Sequence, residues 1–62
     1  MEQYTVGGLT FKAYRFTNAH LALEWCYRCK QPRFAVAGED CVWIVGAETA
    51  TKLAAMGFEI LR

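Results

Sequence analysis

The chain has 62 residues, of which 55% are hydrophobic and 15% aromatic. A chain of this length suffices for one small domain that buries roughly 60% of its unfolded surface, and its apolar content excludes an intrinsically disordered protein. Seven basic and six acidic side chains give a net charge of +1 and are scattered along the sequence, so charge indicates neither a basic nucleic-acid patch nor an acidic nucleic-acid mimic. We predict a single domain over residues 1–62.

The N-terminal segment lacks the basic start and apolar run of a signal peptide, and no apolar run approaches the length of a membrane span. Three cysteines, an odd number, fit reduced thiols better than a disulfide framework. These features predict a cytoplasmic protein without membrane association. Because a core this small is marginal, a homodimer or a standing protein partner is also an expectation.

The first predicted element is a β-hairpin, formed by EQYTV, the pair Gly7 and Gly8, and LTFKAYRF. A two-residue glycine connection suits a turn that needs positive φ. It pairs Val6 with Leu9 and Tyr4 with Phe11, which collects apolar residues on one face and mostly polar residues on the other.

The pattern of the next segment, Thr17–Gln31, predicts an amphipathic helix. Thr17 is the expected N-cap, and Pro32 is the residue expected to end the helix. At 100° per residue, the inward arc of this helix comprises Leu21, Ala22, Trp25, Cys26 and Cys29. Leu23 and Tyr27 lie instead beside His20, at the margin of the face expected to meet solvent.

The remainder predicts a second hairpin from RFAVA and CVWIV, a short helix from AETATKLAAM and a last strand from FEILR. The connection between CVWIV and FEILR is long enough for a parallel crossover. The expected fold is α+β with the order ββαββαβ: a two-layer sandwich of two helices on a mixed, mostly antiparallel sheet of four or five strands. Without its first strand the order is that of a ferredoxin-like sandwich, although that sheet leaves no edge for the N-terminal hairpin.

A cysteine-based metal site is a minor alternative. Within CYRCKQP, Cys26 and Cys29 resemble the opening of a retroviral-type zinc knuckle, but Lys30, Phe34 and Glu39 stand where that family has Gly, His and Cys. His20 lies roughly 120° to 180° around the helix axis from both thiols, so a shared metal is not expected. The dipole at the C-terminal end of a helix also disfavours a thiolate.

The catalytic inventory is thin, with one His, no Ser and no glycine-rich phosphate loop carrying a Lys. We expect a protein that is not an enzyme and has no cofactor or metal. A second hypothesis is a single-stranded nucleic-acid-binding domain that stacks bases on an open sheet face. Its candidate residues are Lys12, Tyr14, Arg15, Arg33 and Trp43.

The leading hypothesis is a small protein–protein interaction module. Exposed apolar and aromatic residues on a polar helix face are typical of a contact patch. The alternative is that Leu23 and Tyr27 simply pack in the core. In size and composition the chain is similar to stoichiometric accessory or inhibitor proteins of phages and mobile elements that act on host machinery. The predicted partner-binding residues are His20, Leu23, Glu24, Tyr27 and Arg28.

Overall fold

The computed structural model describes residues 1–62, which form five strands and two helices. In chain order the elements are β1 (Glu2–Val6), β2 (Leu9–Phe16), α1 (Ala19–Arg28), β3 (Phe34–Ala37), β4 (Val42–Val45), α2 (Ala47–Ala55) and β5 (Glu59–Leu61). The α+β class and the order ββαββαβ are confirmed. Neither helix combines the length and the apolar character that crossing a membrane requires.

The five strands form one sheet in the order β1-β2-β4-β3-β5, and every neighbouring pair is antiparallel. The sheet is therefore not mixed: β5 does not pair with β4 but lies beyond β3, where Ile60 pairs with Val36. In a ferredoxin-like sheet the last strand would lie beside β2. Here β1 pairs with that edge of β2, and β5 lies at the opposite edge of the sheet.

The strand order also determines where the helices lie. Helix α1 connects β2 to β3 across β4, and α2 connects β4 to β5 across β3. Both connections run toward the β5 edge of the sheet. They start from β2 and β4, which are antiparallel to each other. Two crossovers of the same hand must then lie on opposite faces, and crossovers of this kind are nearly always right-handed.

The two helices accordingly pack on opposite faces, giving three layers where two were expected. Alternate residues of the buried strand β4 supply both cores. Trp43 and Val45 join the core beneath α2, which contains Leu53, whereas Val42 and Ile44 join the core beneath α1. A strand that is apolar on both faces is stable only when both faces are covered.

Helix α1 is shorter than expected at both ends. The N-cap is Asn18, not Thr17: its side-chain Oδ1 accepts a hydrogen bond from the backbone N–H of Leu21 at 3.1 Å. At the other end Cys29 already has extended backbone dihedrals, with ψ of 138°. The helix therefore ends three residues before the predicted position, and the chain from Cys29 onward turns toward the start of β3.

The buried face of α1 is also rotated by about 50° from the predicted arc. Leu21, expected to point inward, is 52% exposed. Ala22 is fully buried, and Leu23 packs with Trp25 and Cys26 against the sheet. Leu23, for which the sequence left both an exposed and a core position open, is half-buried, because the helix turns that side of its surface toward β3 and β5.

Candidate partner-binding groove

An open apolar groove runs between helix α1 and the end of the sheet formed by β3 and β5. The helix contributes Leu23, Cys26 and Tyr27 to its wall. Leu23 and Cys26 also pack against the sheet core, which fixes their positions. Tyr27, one position further around the helix, is 75% exposed. We call this surface the α1–β5 groove.

The sheet contributes the other side of the groove. Its lining comes from the start of β3, at Phe34 and Ala35, and from the end of β5, at Ile60 and Leu61. These residues are neighbours because Ala35 pairs with Leu61. The groove has a volume of about 350 Å³, which is at the lower end of the range for ligand pockets.

Seven of the nine residues that line the groove are hydrophobic, and the other two are Arg33 and Arg62. Arg33 is held by neutral acceptors, since its guanidinium donates to the side-chain oxygen of Gln31 at 3.0 Å and to the carbonyl oxygen of Pro32 at 3.4 Å. No Asp or Glu side chain lines the groove. An apolar groove with a cationic rim can take up an apolar group that carries negative charge.

The predicted partner-binding residues are divided between this groove and the exposed surface of α1. Leu23 and Tyr27 line the groove. His20 lies on the outer surface, where its Nε2 is 3.5 Å from Oε1 of Glu24, and Arg28 is exposed in the last helical turn. His20, Glu24 and Arg28 therefore flank the groove without lining it.

Sequence reasoning missed most of the groove on the sheet side, namely Phe34, Ala35, Ile60, Leu61 and Arg62. Arg33 was assigned instead to the nucleic-acid alternative. The alternation of apolar and polar residues in FEILR could have predicted a half-buried strand. Nothing in that segment predicts that the strand lies beside α1. That proximity depends on the order of the sheet.

The residues proposed for nucleic-acid stacking do not form one surface. Tyr14 pairs with Ile44 and faces α1, whereas Trp43 pairs with Arg15 and faces the other side of the sheet. Lys12 shares the face of Tyr14, because alternate residues of β2 point the same way. The predicted platform of Tyr14 and Trp43 is therefore wrong, since two rings on opposite faces cannot stack on neighbouring bases.

Trp43 is instead the centre of an aromatic cluster beneath α2. Its ring centroid lies 5.2 Å from that of Phe11, 5.7 Å from that of Tyr4 and 5.6 Å from that of Phe58. Its exposed fraction is 6%, and its buried Nε1 has no hydrogen-bond acceptor. Trp43 is therefore a core residue and is not accessible to nucleic-acid bases.

The three cysteines are free and half-buried. Burial raises the pKa of the Cys26 thiol above its ordinary value, and the neighbouring Cys29 raises it further. A thiol that keeps its proton is a poor nucleophile and a poor metal ligand. No group of three or more His, Cys, Asp and Glu side chains is placed to hold a metal ion.

No protein-family model, curated protein or solved structure matches the chain. The groove and its chemistry are therefore the basis for a functional proposal.

Proposed function

We propose that this chain is a non-enzymatic protein-interaction module that binds a partner protein stoichiometrically through the α1–β5 groove. Accessory and inhibitor proteins of phages and mobile elements act in this way, and the chain is similar to them in size and composition. The observation that carries the proposal is the position of Tyr27, which is 75% exposed at the wall of an open apolar groove.

The composition of the groove supports binding of a protein surface. Tyrosine and arginine are the residues on which interface energy concentrates, and here Tyr27, Arg33 and Arg62 line the same groove. Exposed apolar area that is rimmed by charge is typical of protein contact sites. The lining also favours binding over catalysis, because the Cys26 thiol keeps its proton.

The experiment is affinity capture from lysate of the organism that encodes the chain, with three immobilised proteins: the wild type, Tyr27→Glu and Leu21→Glu. Leu21 is a matched control because it lies on the same helix and is 52% exposed but does not line the groove. We expect a protein that is retained by the wild type and by Leu21→Glu and is lost with Tyr27→Glu. Retention by all three proteins, or by none, would show that the groove is not the binding surface.

A further inference from the structure

We propose that the α1–β5 groove takes an extended segment of a partner protein in which apolar residues alternate with carboxylates, and that this segment joins the sheet as a sixth strand beside β5. The inference rests on the proposed function and names the chemistry of the partner. It follows from the charge at this end of the molecule, the unpaired edge of β5 and the shape of the groove.

The charge at this end of the molecule is mostly basic, with Glu59 at the start of β5 as the exception. Four of the seven basic residues lie at the end of α1, in the segment that follows it, or at the end of β5, namely Arg28, Lys30, Arg33 and Arg62. No Asp or Glu occurs between Glu24 and Glu39. The two ion pairs of the protein, His20 with Glu24 and Lys52 with Glu48, include none of these four cations. A partner that carries carboxylates would supply the missing counter-charges and would be attracted from a distance.

The edge of β5 offers backbone hydrogen bonds. Strand β5 pairs with β3 on one side and is the last strand of the sheet on the other. Edge strands in proteins are commonly protected by short length, charged side chains, Pro or a covering element. Strand β5 is three residues long, contains no Lys or Pro, and has Glu59 as its one charged side chain. An extended peptide would satisfy these N–H and C=O groups, whereas a helix in the groove would leave them to water.

The groove adds side-chain selection to that strand pairing. In an extended chain, residues i and i+2 point to the same face. Two such apolar side chains can enter the volume of about 350 Å³ between Tyr27 and Leu61. The carboxylates before, between and after them point to the other face of the added strand. That is the face of Ile60 and, by alternation, of Arg62, while Arg33 at the rim attracts them over a longer distance.

The test uses three synthetic peptides and backbone amide NMR of the isotope-labelled protein. The first is acetyl-Glu-Leu-Glu-Leu-Glu-amide, and the second has Lys in place of each Glu. The third is the acidic peptide with the amides of all five residues N-methylated, which keeps the side chains and removes every donor of these residues that could face β5 in either strand direction. We expect the first peptide to shift the resonances of β5 and the second half of α1, and we expect the other two to bind at least about tenfold more weakly.

A charge-reversed protein, Arg33→Glu with Arg62→Glu, should reverse the preference and bind the lysine peptide better than the acidic one. The proposal is overturned if the lysine or N-methylated peptide binds the wild type as well as the first peptide does, or if the shifts occur away from the groove. It is also overturned if the first peptide does not bind at millimolar concentration, or if the groove is already covered by a second copy, seen as a dimer in sedimentation. Loss of a captured partner with Tyr27→Glu, together with no peptide binding, would leave the proposed function standing and reject this inference alone.

Discussion

Tyr14 and Trp43 lie on adjacent antiparallel strands and point to opposite faces of the sheet, since Tyr14 pairs with Ile44 and Trp43 pairs with Arg15. The ring of Tyr14 packs on Trp25 of α1 at a centroid distance of 5.0 Å and remains 41% exposed. Trp43 is enclosed by aromatic rings on the other face. Trp43 therefore belongs to the core beneath α2, whereas Tyr14 makes an exposed aromatic contact on the other face, and the two residues should differ strongly in their effect on stability.

Replacing each ring by alanine tests this difference. Trp43→Ala removes the centre of the α2-side core and should lower the free energy of unfolding by about 3–5 kcal/mol, which is enough to unfold a domain of this size. Tyr14→Ala loses chiefly one aromatic contact and should cost about 1 kcal/mol. Urea denaturation monitored by circular dichroism measures the loss for Tyr14→Ala, and a missing folded baseline without urea would show the larger loss for Trp43→Ala. Equal losses would contradict the arrangement of the two rings.

Leu23 and Tyr27 are four residues apart on α1 and both line the groove, but they differ in burial. Leu23 packs against the sheet core, so Leu23→Ala should cost about 2 kcal/mol of unfolding free energy. Tyr27 is mostly in solvent, so Tyr27→Ala should change stability by no more than about 0.5 kcal/mol. Thermal melts of the two variants separate them. A large loss with Tyr27→Ala would mean that this ring is part of the core, and the capture experiment would then need another variant.

The start of α1 can be tested with adjacent residues. Asn18→Ala removes the side-chain acceptor for the N–H of Leu21 and should cost about 1 kcal/mol. Thr17→Ala is the matched control, because Thr17 precedes the cap and is exposed, and it should be close to neutral. If Thr17→Ala were the costlier change, the helix would begin one residue earlier than the structure shows.

The half-buried thiol of Cys26 should make stability depend on pH in the alkaline range. Its pKa is raised in the folded protein, whereas cysteine in an unfolded chain titrates near about 8.5. Above that pH the unfolded chain loses the proton first, so the free energy of unfolding falls as the pH rises toward the folded pKa. Below it, the contribution of Cys26 is fully present.

The measurement is urea denaturation under reducing conditions from about pH 7.5 to 9.5, which stays below the ordinary tyrosine pKa of about 10. We expect Cys26→Ala to lose stability less steeply over this range than the wild type. Cys41→Ala keeps Cys26 and should retain the wild-type slope. Equal slopes for all three proteins would show that burial does not protect the Cys26 proton.

Elements that depend on neighbouring residues were determined by the sequence itself. The first hairpin has the predicted pairing of Val6 with Leu9, because Gly7 and Gly8 adopt the positive φ values of 52° and 83° that a two-residue turn needs. The end of α2 follows the same logic: Gly57 has φ of 100° and closes the helix as a left-handed residue. In both cases the absence of a Cβ decides the local conformation.

The tertiary structure decided the order of the sheet, the faces that the helices cover and the groove. Strand β5 lies beside β3 because β1 already pairs with the free edge of β2. Because of that placement, the crossovers through α1 and α2 lie on opposite faces of the sheet. It also brings Leu61 into the groove that Tyr27 lines from α1. Tyr27 and Leu61 are 34 positions apart, and local periodicity cannot show that they lie close together. Their proximity depends on the order in which the five strands pair in the sheet.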